Sequence, residues 1–228
     1  RNDPGDKPTL LNMLIDARDE EGQGMSDQQL RDEVLTLLLA GHETTANALN
    51  WTFYMLSKHP GVARKLEAEL DAVLDGEPPT MEQVRQLPYT AQVIKESMRL
   101  YPPVWTIARR AEAVDEICGY GIPKGALILT SPYVLHRHPD YWENPEGFDP
   151  DRFAADKPAP PRGAYMPFIV GPRKCIGEHF AMTEAVILVA ALLSRYRLEL
   201  MPGHKVELEP SVTLRPKHGI KMRIIKRK

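Results

Sequence analysis

One stretch constrains this chain more than any other: Phe168-Ile-Val-Gly-Pro-Arg-Lys-Cys175-Ile-Gly177. It carries one of only two cysteines. Gly171 and Pro172 force a tight turn ahead of the sulfur, and Gly177 lets the backbone pass close to something flat or bulky. Arg173 and Lys174 put positive charge beside it, and the pattern after Gly177 starts a helix. Cationic neighbours and a helix N-terminus both favour an anionic sulfur. A thiolate in a preformed loop is a nucleophile or a metal ligand. The plainer alternative is a structural cysteine buried in a turn.

The 228 residues suffice for one large domain with a sizeable core. A net charge of −2 gives no reason to expect nucleic acid or an anionic membrane as partner. Cys118 and Cys175 show no disulfide spacing, which fits a reducing compartment, so a cytoplasmic location is the expectation. No apolar run reaches membrane-span length, and no internal repeat is present. The 21 prolines cluster in the middle and late parts, where long irregular connections are expected.

Leu10, Leu11, Leu14 and Ile15 give a short amphipathic helix. Ser26 and Gln29 form a capping box that opens a long helix over about 27–59. Its apolar positions (Leu30, Val34, Leu37, Leu38, Leu49, Phe53, Leu56) recur at helical spacing, so it should run through the core. Pro60 opens the next helix, Thr80 and Gln83 cap a short one, and Pro88 starts another that ends at Pro102-Pro103. Residues 104–135 read as strands, with a hairpin of 117–122 and 126–130 turning at Pro123-Lys124-Gly125. Residues 143–167 are Pro-rich and irregular. A helix follows from 178 to about 196, with Phe180, Ala181, Ile187, Leu188 and Leu192 at helical spacing. Residues 198–200 and 221–225 alternate as strands.

Inside the long helix, Ala40-Gly-His-Glu-Thr-Thr45 breaks the pattern. Gly41 weakens the helix, and Thr44 and Thr45 can bond back to carbonyls a turn earlier. Together they permit a local opening for a ligand or water. A His-Glu-x-x-His zinc motif is excluded because position 46 is Ala. His179 follows Cys175 by four, but no second Cys/His pair lies near it for a zinc site. Glu96 and Arg99 share a helix face and read by themselves as an ion pair.

Phe-x-x-Gly-x-Arg-x-Cys-x-Gly resembles the haem-binding loop of the cytochromes P-450, the haem-thiolate monooxygenases. Ala40-Gly-His-Glu-Thr-Thr45 resembles that family's oxygen-binding kink. Glu96-x-x-Arg99 followed by Phe148-Asp-Pro-Asp-Arg152-Phe153 resembles its buried Glu–Arg–Arg cluster. The small residues the family places after the Phe are here Ile169 and Val170. The resemblance runs through the whole chain but covers only the family's second half. It implies a mainly α fold with a small β-sheet, residues 1–228 being the C-terminal, haem-holding part of a single domain whose N-terminal half is not in this chain.

The resemblance also assigns roles. Cys175 is the axial iron ligand of haem b (iron protoporphyrin IX), with Phe168 and Gly177 shaping its loop. Ala40 and Gly41 lie against the haem on the distal side, and Glu43 and Thr44 are the acid–alcohol pair that supplies protons for dioxygen cleavage. Arg173 and Arg109 (Arg110 as alternative) take the haem propionates. His136 is either a further propionate contact or a structural histidine. Glu96, Arg99 and Arg152 lock the irregular segment. Val104, Trp105, Ile107, Val212 and Leu214 line a pocket for an apolar substrate. The implied activity inserts one oxygen atom of O2 into that substrate, with electrons from a ferredoxin, flavodoxin or flavin reductase. No flavin or dinucleotide fingerprint is present, and Arg173 and Lys174 are candidates for the docking patch. A peroxygenase or isomerase use of haem-thiolate, or a non-catalytic haem-binding module, are the alternatives.

Overall fold

The computed structural model describes residues 9–227. The chain divides into two compact units, Arg1–Glu43 and Thr44–Lys228. In the first, helix α1 (Leu10–Asp16) is capped by Thr9, whose hydroxyl accepts the Asn12 N–H. Helix α2 (Asp27–Lys58) begins at the expected capping box. The Gln29 N–H donates to Ser26 Oγ at 3.2 Å, and the Ser26 N–H donates to Gln29 Oε1 at 2.9 Å. The helix continues without interruption through 40–45, so the local opening expected there is not seen in the backbone. Helix propagation across a single glycine costs only about 1 kcal/mol, less than breaking the ladder. Burial also differs from expectation. Leu30, Val34 and Leu37 are half-buried, whereas Leu35, Leu38 and Leu39 are exposed. The buried part of α2 starts only at Thr45 and runs to Leu56.

The second unit holds the core. Helices α3 (Pro60–Val73), α5 (Pro88–Leu100) and α7 (Glu178–Leu193) pack with the last turns of α2, burying Leu66, Leu70, Val93, Ile94, Val189 and Ala190. Pro60 and Pro88 stand at first helical positions, where a missing N–H costs nothing. Between these helices, α4 (Met81–Val84) is capped reciprocally by Thr80 and Gln83. Helix α7 ends at Leu193, earlier than expected, and Tyr196 already belongs to a strand. Its inward face is Ala185, Val186, Val189, Ala190 and Leu193; Phe180, Leu188 and Leu192 point away.

The strands form four separate two-stranded antiparallel sheets among the described residues. Strand β1 (Ile107–Arg110) pairs with β4 (Leu127–Thr130), and β2 (Asp115–Ile117) with β3 (Tyr120–Ile122). The expected hairpin at Pro123-Lys124-Gly125 is therefore not formed. The turn lies at Cys118-Gly119, where φ is +51° and +84°. Two consecutive left-handed residues fit the twist of a two-residue hairpin, a conformation no proline can adopt. Residues 132–135, expected as strand, form the short helix α6 (Pro132–Leu135), which Ser131 caps. Later, the two expected tail strands form as β5 (Tyr196–Leu200) and β8 (Met222–Lys226), which pair with each other, and β6 (Leu208–Pro210) pairs with β7 (Leu214–Pro216).

Candidate functional site

Glu96 and Arg99 on α5 are both fully buried. Arg99 Nε and Nη2 donate to the two carboxylate oxygens of Glu96, each at 2.8 Å. The remaining N–H groups of Arg99 donate to the carbonyls of His136, Pro145 and Gly147 at 2.7–2.8 Å. Glu96 Oε1 also accepts the Asp149 N–H at 2.9 Å and Arg152 Nε at 3.3 Å. Arg152 Nη2 donates to Asn144 O. The cluster expected from the sequence is thus assembled, and its wider part is backbone. Arg99 and Arg152 collect carbonyls from the meander at 144–147, which holds an otherwise structureless stretch in one path. A Cβ at Gly147 would meet the side-chain amide of Asn144, so a larger residue there would have to displace that side chain.

The loop that carries Cys175 follows this meander. Its register is set by the Ile169 N–H donating to Met166 O at 3.1 Å and the Cys175 N–H donating to Phe168 O at 2.9 Å. Ile169 has φ +64° and Gly171 φ +80°. Glycine accepts this backbone freely, whereas a β-branched residue is strained in it. Cys175 is an exposed free thiol at the start of α7. Beside it Lys174 pairs with Glu178 at 2.6 Å. Arg173 is exposed. Two large apolar side chains that follow it in the chain are exposed, Ile176 at 93% and Phe180 at 74%.

On β1, strand alternation puts Arg109 on the same face as buried Ile107, and Arg110 on the other with Ala108. Both guanidinium groups are exposed: Arg109 Nη1 donates to Ala108 O at 2.9 Å and Arg110 Nη1 to Gly125 O at 3.4 Å. The expected pocket-lining stretches are brought together. The Leu214 N–H donates to Pro103 O at 2.9 Å, and Trp105 Nε1 donates to Ser211 O at 2.8 Å. Trp51 Nε1 of α2 donates to Leu214 O at 2.9 Å, and Asn47 Nδ2 donates to Thr213 Oγ1 at 3.0 Å. Ile107 and Leu214 are buried, Val104 and Trp105 half-buried, and Val212 is 89% exposed at the tip of the turn. Sequence reasoning missed Asn47 and Trp51; their inward positions on α2 were the available signal. Ala40 and Gly41 are exposed, and a Cβ at Gly41 would meet no atom. Glu43 and Thr44 are consecutive residues of α2, the last of one unit and the first of the next.

Residues 2–223 match the family described as Cytochrome P450. The chain belongs to the cytochrome P450 family. It is 44% identical over 215 residues to cyclooctatin synthase of Streptomyces melanosporofaciens, covering 93% of this chain and 47% of that protein. It is 36% identical to pentalenene oxygenase of Streptomyces avermitilis, covering 100% of this chain and 51% of that protein. Among solved structures, the retinoic acid bound cyanobacterial CYP120A1 superposes with a TM-score of 0.93 at 32% identity, over 99% of this chain and 52% of that one. The chain spans about half the length of the curated relatives it matches. The fold is a P450 fold, mainly helical with small antiparallel sheets.

A P450 implies a haem, and the residues present fit one. Among the described residues no three His, Cys, Asp or Glu side chains converge to hold a bare metal ion. Haem brings four nitrogen ligands of its own and needs a single thiolate from the protein. The exposed thiol of Cys175 matches that need. A Cβ at Gly177 would lie 3.8 Å from Cys175 Sγ, so glycine keeps the space beside the sulfur open. No described helix is long and apolar enough to cross a membrane.

Proposed function

We propose that this chain is the haem-holding, C-terminal part of a haem-thiolate monooxygenase. Cys175 would hold the iron of haem b through its thiolate, and Arg109 and Arg173 would hold the propionates by charge-assisted hydrogen bonds. Bound in this way, haem supplies dioxygen binding and activation, and the thiolate favours O–O cleavage. The chain's own residues do the rest. Glu43 and Thr44 carry protons into an otherwise apolar site. Val104, Trp105, Ile107, Val212 and Leu214 orient an apolar substrate and exclude water. Electrons come one at a time from a separate ferredoxin, flavodoxin or flavin reductase.

The observation that carries this reading is Cys175. Its exposed thiol sits in a loop anchored to a fully satisfied Glu96–Arg99 pair, in a chain that matches the family over residues 2–223. The relatives' names sharpen the substrate class. Cyclooctat-9-en-7-ol 5-monooxygenase of Streptomyces melanosporofaciens is 42% identical, and carotene epsilon-monooxygenase of Arabidopsis thaliana is 39% identical. Their named substrates, with pentalenene, are largely hydrocarbon, and the lining here suits such a molecule. The test supplies a cyclic or polyene hydrocarbon, an electron-donor protein and isotopically labelled dioxygen. Monooxygenation puts a single labelled atom into the product. Label-free product, or turnover sustained by peroxide alone with none from dioxygen and reductant, contradicts the reading.

A further inference from the structure

Between the Glu96–Arg99 pair and the cysteine loop lies a side chain that the proposed chemistry does not use. His136, at the end of α6, is fully buried, and both of its ring nitrogens are engaged. Nδ1 lies 3.2 Å from Arg99 O, and Nε2 lies 2.8 Å from the Met166 backbone N. A carbonyl can only accept and an amide N–H can only donate. The ring therefore carries its proton on Nδ1 and offers a lone pair at Nε2.

On one side of this bracket is Arg99, whose guanidinium N–H groups are all hydrogen-bonded. Arg99 accepts from the ring through its carbonyl and donates Nη1 to the carbonyl of His136 itself at 2.8 Å. On the other side is the ligand loop. Met166, held by the ring, accepts the Ile169 N–H at 3.1 Å. Phe168, one residue before Ile169, accepts the Cys175 N–H at 2.9 Å. The peptide that joins Phe168 to Ile169 thus both donates toward Met166 and accepts from Cys175. Its plane is set by Ile169, whose left-handed φ of +64° persists only if neighbouring bonds hold it. The groups facing the imidazole are Arg99, Arg137 and the ring of Tyr165, 5.2 Å away. Two guanidinium groups and burial all oppose a second proton on the ring.

We propose that His136 is a positioning residue for the thiolate ligand. As a neutral Nδ1–H imidazole it transmits the fixed geometry of the Glu96–Arg99 pair, through Met166, to the loop that presents Cys175. This rests on the reading of Cys175 as haem ligand, but its first tests do not need haem.

Nitrogen-15 NMR of the purified protein reports the tautomer, and amide hydrogen exchange reports Met166 and Cys175. The proposal expects the Nδ1–H tautomer and protection at both amides. The Nε2–H tautomer, or Met166 exchanging like an exposed amide, overturns it. His136→Leu removes both contacts, and Met166 should exchange roughly tenfold faster or more. In the haem-loaded, reduced, CO-bound protein, part of the absorption should move away from the thiolate-ligated form. His136→Gln, which can still donate and accept, should restore the spectrum at least in part. If both substitutions lower the thermal midpoint alike and leave the spectrum untouched, His136 only fills space and the proposal fails. If His136→Leu does not fold, tautomer and exchange in the unsubstituted protein decide. Should Cys175→Ser leave the haem spectrum unchanged, the haem-thiolate reading fails separately, whatever the tautomer shows.

Discussion

The guanidinium of Arg99 meets the carboxylate of Glu96 in two parallel bonds of 2.8 Å, with both side chains wholly out of water. Every N–H of that guanidinium has an acceptor, and three of the acceptors are carbonyls of residues 136, 145 and 147. Removing Glu96 leaves the Arg99 charge buried without its carboxylate, and removing Arg99 leaves the buried Glu96 with only its longer, 3.3 Å pair to Arg152. Glu96→Ala or Arg99→Leu should cost about 3–5 kcal/mol of stability, read from denaturant midpoints. Arg99→Lys keeps the charge but not the fork, and should fall well short of wild type. A loss below about 1 kcal/mol for Glu96→Ala would mean that the pair does not hold the meander.

Stability should depend on pH through His136. Burial is the main cause that lowers its pKa to about 4 from the ordinary 6.5. Below pH 6.5 the unfolded chain takes up a proton that the folded protein refuses. The stabilisation is therefore fully present above pH 6.5 and is lost as pH falls from 6.5 toward 4. Its full extent is about 3 kcal/mol. Comparing wild type with His136→Gln across pH 4–7 isolates this contribution, because the carboxylates titrate in both. Parallel stability curves for the two proteins would contradict it.

Ile169 should invert a familiar order of substitution. In most positions Gly is less stable than Ala by about 0.5–1 kcal/mol. At φ +64° the Ala variant loses the half-buried side chain and keeps the strain, whereas the Gly variant sheds the strain. Ile169→Gly should exceed Ile169→Ala in stability by about 1 kcal/mol, measured as the difference in denaturant midpoints. The ordinary order would show that the loop does not hold Ile169 in the left-handed region.

Thr44→Ala tests the proton supply. With the hydroxyl gone, reducing equivalents should be diverted into peroxide, so the ratio of product to reductant consumed falls while reductant consumption continues. Coupling as tight as in wild type would remove Thr44 from the relay.

Much of this architecture was legible because caps and prolines act locally. Ser26 with Gln29, Thr80 with Gln83, and Pro60 and Pro88 each mark a helix start through bonds within one turn. The Glu96–Arg99–Arg152 cluster was legible as side chains, but its other half is the carbonyls of 136, 144, 145 and 147, which carry no residue signature. The hairpin was misplaced because Pro-Lys-Gly looks like a turn and Cys118-Gly119 does not, although the latter adopts the two left-handed conformations. The inward face of α7 was not legible because the helix is apolar nearly all round, and periodicity cannot choose a face in such a pattern. His136 was legible as a propionate contact or a structural histidine, and its full burial with both ring nitrogens engaged fits the second. Its two contacts, to Arg99 and Met166, span sequence separations of 37 and 30.

The optical spectrum of the reduced, CO-bound protein tests the central claim most directly. The account predicts the band shift that a thiolate opposite CO produces and a histidine ligand does not. It predicts the loss of that shift in Cys175→Ser. A serine variant that keeps both the pigment and the shifted band would contradict the assignment of Cys175 as the iron ligand.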